Sequence, residues 1–457
     1  MARITQPPDW QHILTQDPKR WIDLLTLNPD LRERVERLAD SKDGYLHWTK
    51  FRHKQPFPSE LTHEEGWGLV RTQRLSSAKP LPFRAKCGTR MVLCMTDPLH
   101  AAVRRITAHR ELLLAGLPEQ PNAQLAEDMK SFGLKALIDE AYYSAVIEGA
   151  VTTRREARKM IREKRTPLNK SEWMVLNNFR AGQQMTLWAR EPMTPKRLCE
   201  IQEILTANTL EREEDAGQFR ADIVEVQDQA SGEVVHVPPP AEELPQRMQQ
   251  LCDFANHEDS EDPIPTFARA CLLHYQLAYD HPFGDGNGRT ARWLFLWRLL
   301  RCPEYWWVGM LSVSRMTSYN KQTYYDAFRF VESDNFDTTY LVRHQTQAFE
   351  QEMERFTRFL THRRDLASHA RAQLRLGNDL NVRQLALFDQ IRKKPQSTFT
   401  QQGHAQFHGV SQPTARKDLE NLAELDLLTR EKGRPIVYRA TPRFVAAAQG
   451  FDSPAAH

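Results

Sequence analysis

Two stretches of the chain are apolar on almost every face, and a short polar run lies between them. PTFARACLLHYQLAYD (265–280) and RTARWLFLWRLL (289–300) each carry the continuous hydrophobicity of a buried helix. The first must stop at His281, because Pro282 biases the preceding residue away from helical geometry. The pattern predicts a loop over HPFGDGNG that leads from one core helix into the N-terminus of another.

Outward from this pair, the periodicity predicts a mainly α protein. Residues 1–115 read as short amphipathic helices with proline-containing breaks (PKRWIDLLTL, LRERVERLAD, then YLHWTKF and HEEGWGLVRTQRL), a helical region without an evident role. HEEGW lacks the second histidine of a zinc-binding HExxH. Residues 116–375 carry the strongest helical signal. Within them, FRADIVEVQDQASGEVVHVPPP (219–240) breaks the pattern with two β-branched runs about a polar turn, closed by three prolines. This predicts a β-hairpin over about 222–237, exposed in a helical setting and suited to serve as a flap. Residues 380–445 read as helix, helix, helix and two short strands about Gly433. Ser411 caps the third helix, and Leu419, Leu422 and Leu425 mark its buried face, which resembles a winged helix-turn-helix.

At 457 residues, with 40% apolar and 26% charged residues, several folded units are expected. A net charge of +3 excludes a general nucleic-acid coat, while leaving room for a local basic patch. Six scattered cysteines without a CxxC pair argue for reduced thiols, and neither a secretory leader nor a membrane-length apolar run is legible, so a cytoplasmic protein is expected.

The polar loop holds a coherent set of chemical groups. Gly284, Gly286 and Gly288 let successive backbone N–H groups converge on one concavity, and the helix that follows adds the positive end of its dipole. Arg289 and Arg292 supply full charges to a polyphosphate, and Asn287 a further donor. Asp285 would be repelled there unless a cation intervened, which makes it the candidate Mg²⁺ ligand. His281, at the edge, is the candidate general base.

HPFGDGNGRTAR (281–292) resembles the signature HPFx(D/E)GNGRxxR of the Fic family at every defined position. The resemblance implies a helical Fic fold over about 120–375 and transfer of AMP from ATP to a protein hydroxyl. It implies His281 as base, Asp285 as Mg²⁺ ligand and Phe283 as a core anchor. Gly286, Asn287, Gly288 and Arg289 are then expected on the α- and β-phosphates, and Arg292 on the γ-phosphate. Gly288 argues against the phosphorylating relatives, which carry lysine there. The hairpin is expected to align the target by strand addition through Val235, His236 and Val237. SYNKQTYYDAFRFVES (318–333) resembles the segment that meets the base, with Asn320 and Tyr325 as contacts and Glu332 where many relatives carry an amide.

SAVIEG (144–149) resembles the family's inhibitory motif (S/T)xxxE(G/N), at the end of a helix expected over about 134–149. The resemblance implies that Glu148, one turn after Ser144, pairs with Arg292 and takes the γ-phosphate position. The expected activity is therefore a restrained protein adenylyltransferase that acts on a Ser, Thr or Tyr hydroxyl. The alternatives are a hydrolase removing AMP, and a DNA-binding regulator with a Fic sensor core, contacting phosphates through Arg416 and Lys417. A homodimer and a DNA or protein partner for the C-terminal unit belong to the same set of expectations, with no membrane partner.

Overall fold

The computed structural model of the protein describes residues 4–39, 45–115, 123–227, 232–257, 264–375 and 380–451. The chain is mainly helical. It begins with α1 (Trp10–Gln16), α2 (Pro18–Leu27), α3 (Pro29–Ala39), α4 (Trp48–Phe51) and α5 (His63–Ser76). Their starts are written in the sequence. Asp17 caps α2 ahead of Pro18, where a missing N–H costs nothing, and Thr62 and Glu65 form a reciprocal capping box on α5.

An antiparallel hairpin follows, β1 (Lys79–Arg84) and β2 (Arg90–Leu93), and then α6 (Asp97–Ala115). This hairpin corrects the all-helical reading of residues 1–115. In KPLPFR, Leu81 and Phe83 are buried between exposed neighbours, so the period is two; the interleaved prolines obscured it. The region is not self-contained either. Leu81, Phe83, Leu93, Leu99, Val103 and Ile106 belong to the main core, and smaller clusters serve the helices before them.

The central helices are α7 (Ala123–Ile147), α8 (Arg154–Glu163), α9 (Lys170–Leu187), α10 (Pro195–Thr206), α11 (Leu244–Asn256), α12 (Thr266–Asp280), α13 (Asn287–Arg301), α14 (Val313–Tyr319), α15 (Lys321–Ser333) and α16 (Thr339–Leu374). Between α10 and α11 lie the short strands β3 (Val226–Gln227) and β4 (Val234–His236). They pair antiparallel with an irregularity at Val235, and the turn residues 228–231 lie outside the described residues. Ile223 to Glu225, expected in the first strand, precede it without regular structure. α12 and α13 pack together at the centre, with Phe267, Leu272, Tyr275, Phe295 and Trp297 buried.

The C-terminal unit comprises α17 (Val382–Lys393), β5 (Thr398–Thr400), α18 (Gln401–His408), α19 (Gln412–Glu424), β6 (Leu428–Glu431), β7 (Val437–Ala440) and α20 (Pro442–Gln449). Its sheet has the order β5-β7-β6, so β5 and α20 add to the elements read from the sequence. Leu419 and Leu422 are buried as expected, whereas Leu425, which follows α19 as its C-cap, is 37% exposed. The boundary near 375 needs a correction: Leu366, Ala370 and Leu374 of α16 pack into this C-terminal core, so one helix of 36 residues runs through both units.

A buried charge cluster fastens α5 to the segment between α15 and α16. Arg71 Nη1 donates to Asp337 Oδ2 (2.7 Å), and its Nε lies 3.2 Å from Asp334 Oδ1. Tyr45 and Tyr340 donate to the same two carboxylates, at 2.5 and 2.7 Å. Removing the cation strands two buried anions, so Arg71→Leu is expected to cost about 3–5 kcal/mol in urea unfolding. A loss under about 1 kcal/mol would contradict this role for the cluster.

Candidate active site

α12 is buried on nearly all faces, and its last hydrogen bond is His281 N–H to Leu277 O, at 3.0 Å. Pro282 bars another turn, and His281 adopts a left-handed conformation (φ +47°), an uncommon one for a residue with a Cβ. Its Nδ1 lies 3.3 Å from Ala278 O. A carbonyl only accepts, so Nδ1 carries the proton and Nε2 is the basic nitrogen. Burial lowers the His281 pKa to about 4, and the nearby His236 and Arg220 act in the same direction. The imidazole is therefore neutral at pH 7, as a proton acceptor must be.

The loop that follows is held from inside. Phe283 is fully buried and meets the ring of Phe219 at 5.5 Å. Asn287 Oδ1 accepts from Phe283 N–H (2.9 Å), and its Nδ2 donates to Phe283 O (2.7 Å). Gly286 turns the chain into α13 with φ +89°, and a Cβ there would press within 3.0 Å of Thr206. Gln202 donates to Asp285 O (3.1 Å) while accepting from Gly217 N–H (2.6 Å).

Two of the expected phosphate donors are engaged within the protein. The Asn287 side-chain amide closes the loop, with one bond from Phe283 N–H and one to Phe283 O. The Arg289 side chain is buried beneath the loop, donating to Leu205 O (2.9 Å) and Asp285 Oδ1 (2.8 Å). Both residues hold the shape of the loop from below. The sequence reveals their donors but not the direction in which they point.

α13 begins without a side-chain cap, so the orphan N–H groups of its first turn face outward with the positive end of the dipole. A carboxylate of the protein lies at that spot. An atom in place of the missing Gly288 Cβ would stand 2.3 Å from Glu148 Oε1. Glu148 Oε1 also accepts from Arg292 Nη2 at 2.7 Å. Arg292 Nε donates to Ser144 Oγ (2.9 Å) and Nη2 to Ser144 O (3.1 Å), with the guanidinium buried. Ser144, Glu148 and Arg292 are thus brought together.

The helix that delivers Glu148 is firmly seated. α7 ends at Ile147, and Gly149 follows with φ +92°. Lys321 Nζ caps this end, donating to Val146 O (2.6 Å) and Ile147 O (3.1 Å). One turn before Ser144, Glu140 is buried and accepts from Ser314 N–H (2.9 Å) and Ser312 Oγ (3.2 Å). Asp139 takes Arg154, Arg158 and Arg315.

The remaining expected contacts divide. Tyr325 is partly exposed on the α15 flank that also carries Tyr324, beside Arg292. Asn320 is turned away, into a cavity of about 260 Å³ lined also by His47, Phe330 and Arg343, so the structure does not bring it to the loop. Glu332 faces the flap: its Oε2 lies 2.9 Å from His236 Nδ1, while His236 Nε2 lies 2.7 Å from Tyr279 O. Val237 O accepts from Lys86 Nζ (2.7 Å), so one main-chain acceptor of the three flap residues expected to pair with a target is engaged within the protein, whereas His236 is engaged through its side chain. Asp285, nearly half exposed, has Oδ1 fixed by Gly286 N–H (2.5 Å) and Arg289. Among the described residues no group of three or more His, Cys, Asp or Glu could hold a metal ion, and no helix is long and apolar enough to cross a membrane. Arg416 and Lys417 are exposed on α19, Arg416 pairing with Glu420 (2.8 Å), whereas Asp418 turns inward to Arg383 and His404.

Sequence reasoning missed Gln202, Arg220 and Lys321. Each acts on a backbone carbonyl remote in sequence, and such a contact leaves no spacing signal.

Residues 192–299 match the Fic/DOC family. A protein adenylyltransferase Fic from Nematostella vectensis is 33% identical over 182 residues, 37% of this chain and 40% of that protein. One from Drosophila willistoni is 46% identical over 66 residues, 14% of this chain and 13% of that protein. The chain thus matches well under half the length of these curated relatives. Among solved structures, a Fic family protein from Desulfovibrio desulfuricans G20 is 19% identical, covering 75% of this chain and 96% of that one, with a TM-score of 0.47. A Fic domain containing signaling protein from Bacteroides thetaiotaomicron is 20% identical, covering 57% and 97%, with a TM-score of 0.47.

Proposed function

We propose that this chain, whose residues 192–299 form a Fic domain, is a protein adenylyltransferase that moves AMP from ATP to a hydroxyl of a target protein, with Glu148 as its restraint. One observation carries the reading. A neutral imidazole with a fixed tautomer stands at the lip of an uncapped helix N-terminus, and the Glu148 carboxylate lies beside Gly288 in the first turn of that helix, paired with Arg292.

In this reading the triphosphate lies on the first turn of α13, with Arg292 on its far end once Glu148 has moved. The target hydroxyl gives its proton to His281 Nε2 as its oxygen bonds to the α-phosphorus. The bond from that phosphorus to the bridging oxygen breaks, and pyrophosphate leaves. Asp285 fits a Mg²⁺ ion that arrives with the phosphates: it is a single exposed carboxylate beside an anion site, suited to a cation whose other ligands are phosphate oxygens and water. Bound there, the ion would neutralise charge on the departing pyrophosphate. Incubation with ATP labelled at the α- or the γ-phosphate tests the reading. Protein is expected to retain the α-label alone, and retention of the γ-label would overturn it.

The pH dependence follows from the lowered pKa of the His281 imidazole. Protonation removes the acceptor, so kcat/KM is expected to stay level from about pH 8 to about 5 and to fall as pH drops through about 4. An acidic limb near 6.5 would contradict His281 as the base in this environment. For the C-terminal unit we propose contact with DNA phosphates through Arg416 and Lys417, supported by the inward turn of Asp418, which removes one anion from that face.

A further inference from the structure

We infer that Arg220 is a positioning residue that joins the flap to the catalytic loop and holds His281 in its left-handed turn. The inference rests on the adenylyltransferase reading for its activity test alone. Arg220 Nε donates to His281 O (2.8 Å), Nη2 to Asp280 O (3.3 Å) and Pro239 O (2.6 Å), and Nη1 to Asp222 O (2.9 Å). Its own backbone N–H donates to Pro282 O (2.9 Å). One residue thus serves three successive carbonyls where α12 gives way to the loop, together with one carbonyl from each stem of the hairpin.

The chemistry suits this task. The carbonyls at the end of a helix have no partner within it, and Pro282 prevents the next turn that would supply one. A planar guanidinium offers several donors in fixed directions, so a single side chain can reach carbonyls on three separate strands of backbone. Every hydrogen bond it makes here ends on a backbone oxygen, which marks an architectural fixture with no reach toward phosphate or base. His281 is the residue whose backbone most needs such a hold, because its φ of +47° is sustained by its surroundings and aims the imidazole. The flap stems hang from the same guanidinium, so the height of the flap over the loop and the direction of the base are set together.

The test uses the full-length protein in the Glu148→Gly background, comparing Arg220→Ala and Arg220→Lys. Arg220→Ala is expected to lower kcat by about 30- to 100-fold, the scale of a misplacement of about 1 Å, with the KM for ATP changed less than about threefold. Arg220→Lys, with one point charge for several carbonyls, should fall between, and millimolar guanidinium should restore part of the Ala variant's rate. Adding Arg220→Ala to His281→Ala should cost nothing beyond His281→Ala alone, because the arginine acts through the histidine. Without nucleotide, hydrogen exchange over residues 232–240 and 278–283 should quicken in Arg220→Ala while α16 is unchanged. Unchanged exchange there, or a rate loss matched by an equal loss of ATP affinity, would overturn the assignment. A Glu148→Gly parent that transfers no label would instead defeat the adenylyltransferase reading and leave the exchange test standing.

Discussion

Glu148→Gly is expected to raise transfer of α-label from ATP to protein by about 30- to 100-fold. In the resting protein the carboxylate does two things at once. It lies beside Gly288 in the first turn of α13, the proposed seat of the triphosphate, and it accepts from Arg292 Nη2 at 2.7 Å. A triphosphate must displace a charge-assisted bond worth on the order of 2–3 kcal/mol, and each 1.4 kcal/mol is a factor of ten in rate. Glycine removes the anion and adds no bulk, and α7 remains anchored through Glu140 and Lys321. Initial rates of labelling under matched ATP and Mg²⁺ decide the matter; equal rates in the two proteins would remove Glu148 from the role of restraint. If the same variant lost an ability to release AMP from a modified target, the hydrolase alternative would gain instead.

His281→Ala, placed in the Glu148→Gly protein, is expected to lower the transfer rate by about 10²- to 10⁴-fold, the usual yield of a positioned general base. ATP affinity should hardly move. The imidazole is committed through Nδ1 to Ala278 O, and the anion site is built from the backbone of α13 together with Arg292. Calorimetric titration with ATP separates the two effects. A loss of affinity comparable to the loss of rate would mean that the histidine shapes the loop without acting as a base. Alanine at a left-handed position also carries strain, so His281→Asn, which tolerates that conformation better, is the companion variant and should be as inactive.

Much of this site could be read from the chain because its signals are local. Pro282 stops α12, Gly286 turns the backbone, and an apolar helix resumes at once, so the loop was confined from both sides. Glu148 was singled out only through the resemblance of SAVIEG to an inhibitory motif; its place at a helix end, where the dipole disfavours an acid, would alone have read as a solvated surface residue. What escaped was direction and distance. Asn287 and Arg289 seem outward-facing donors in a list of residues, yet both are buried and bind the protein itself. Arg220 and Gln202 act across 61 and 83 positions, where no periodicity speaks for them. The hairpin β1–β2 was hidden by its prolines, and its alternation became plain only when Leu81 and Phe83 were seen to enter the main core. Asn320 was misplaced because it stands at the junction of α14 and α15, where one residue of phase decides which flank a side chain joins.

Arg292 is gripped from two levels of α7, by the hydroxyl and carbonyl of Ser144 as well as by the acid one turn later. Under the proposed restraint, deleting the acid would leave both Ser144 contacts in place, so Arg292 would meet a nucleotide with its Nε and one face of Nη2 still tethered to α7 and its Nη1 free of that tether.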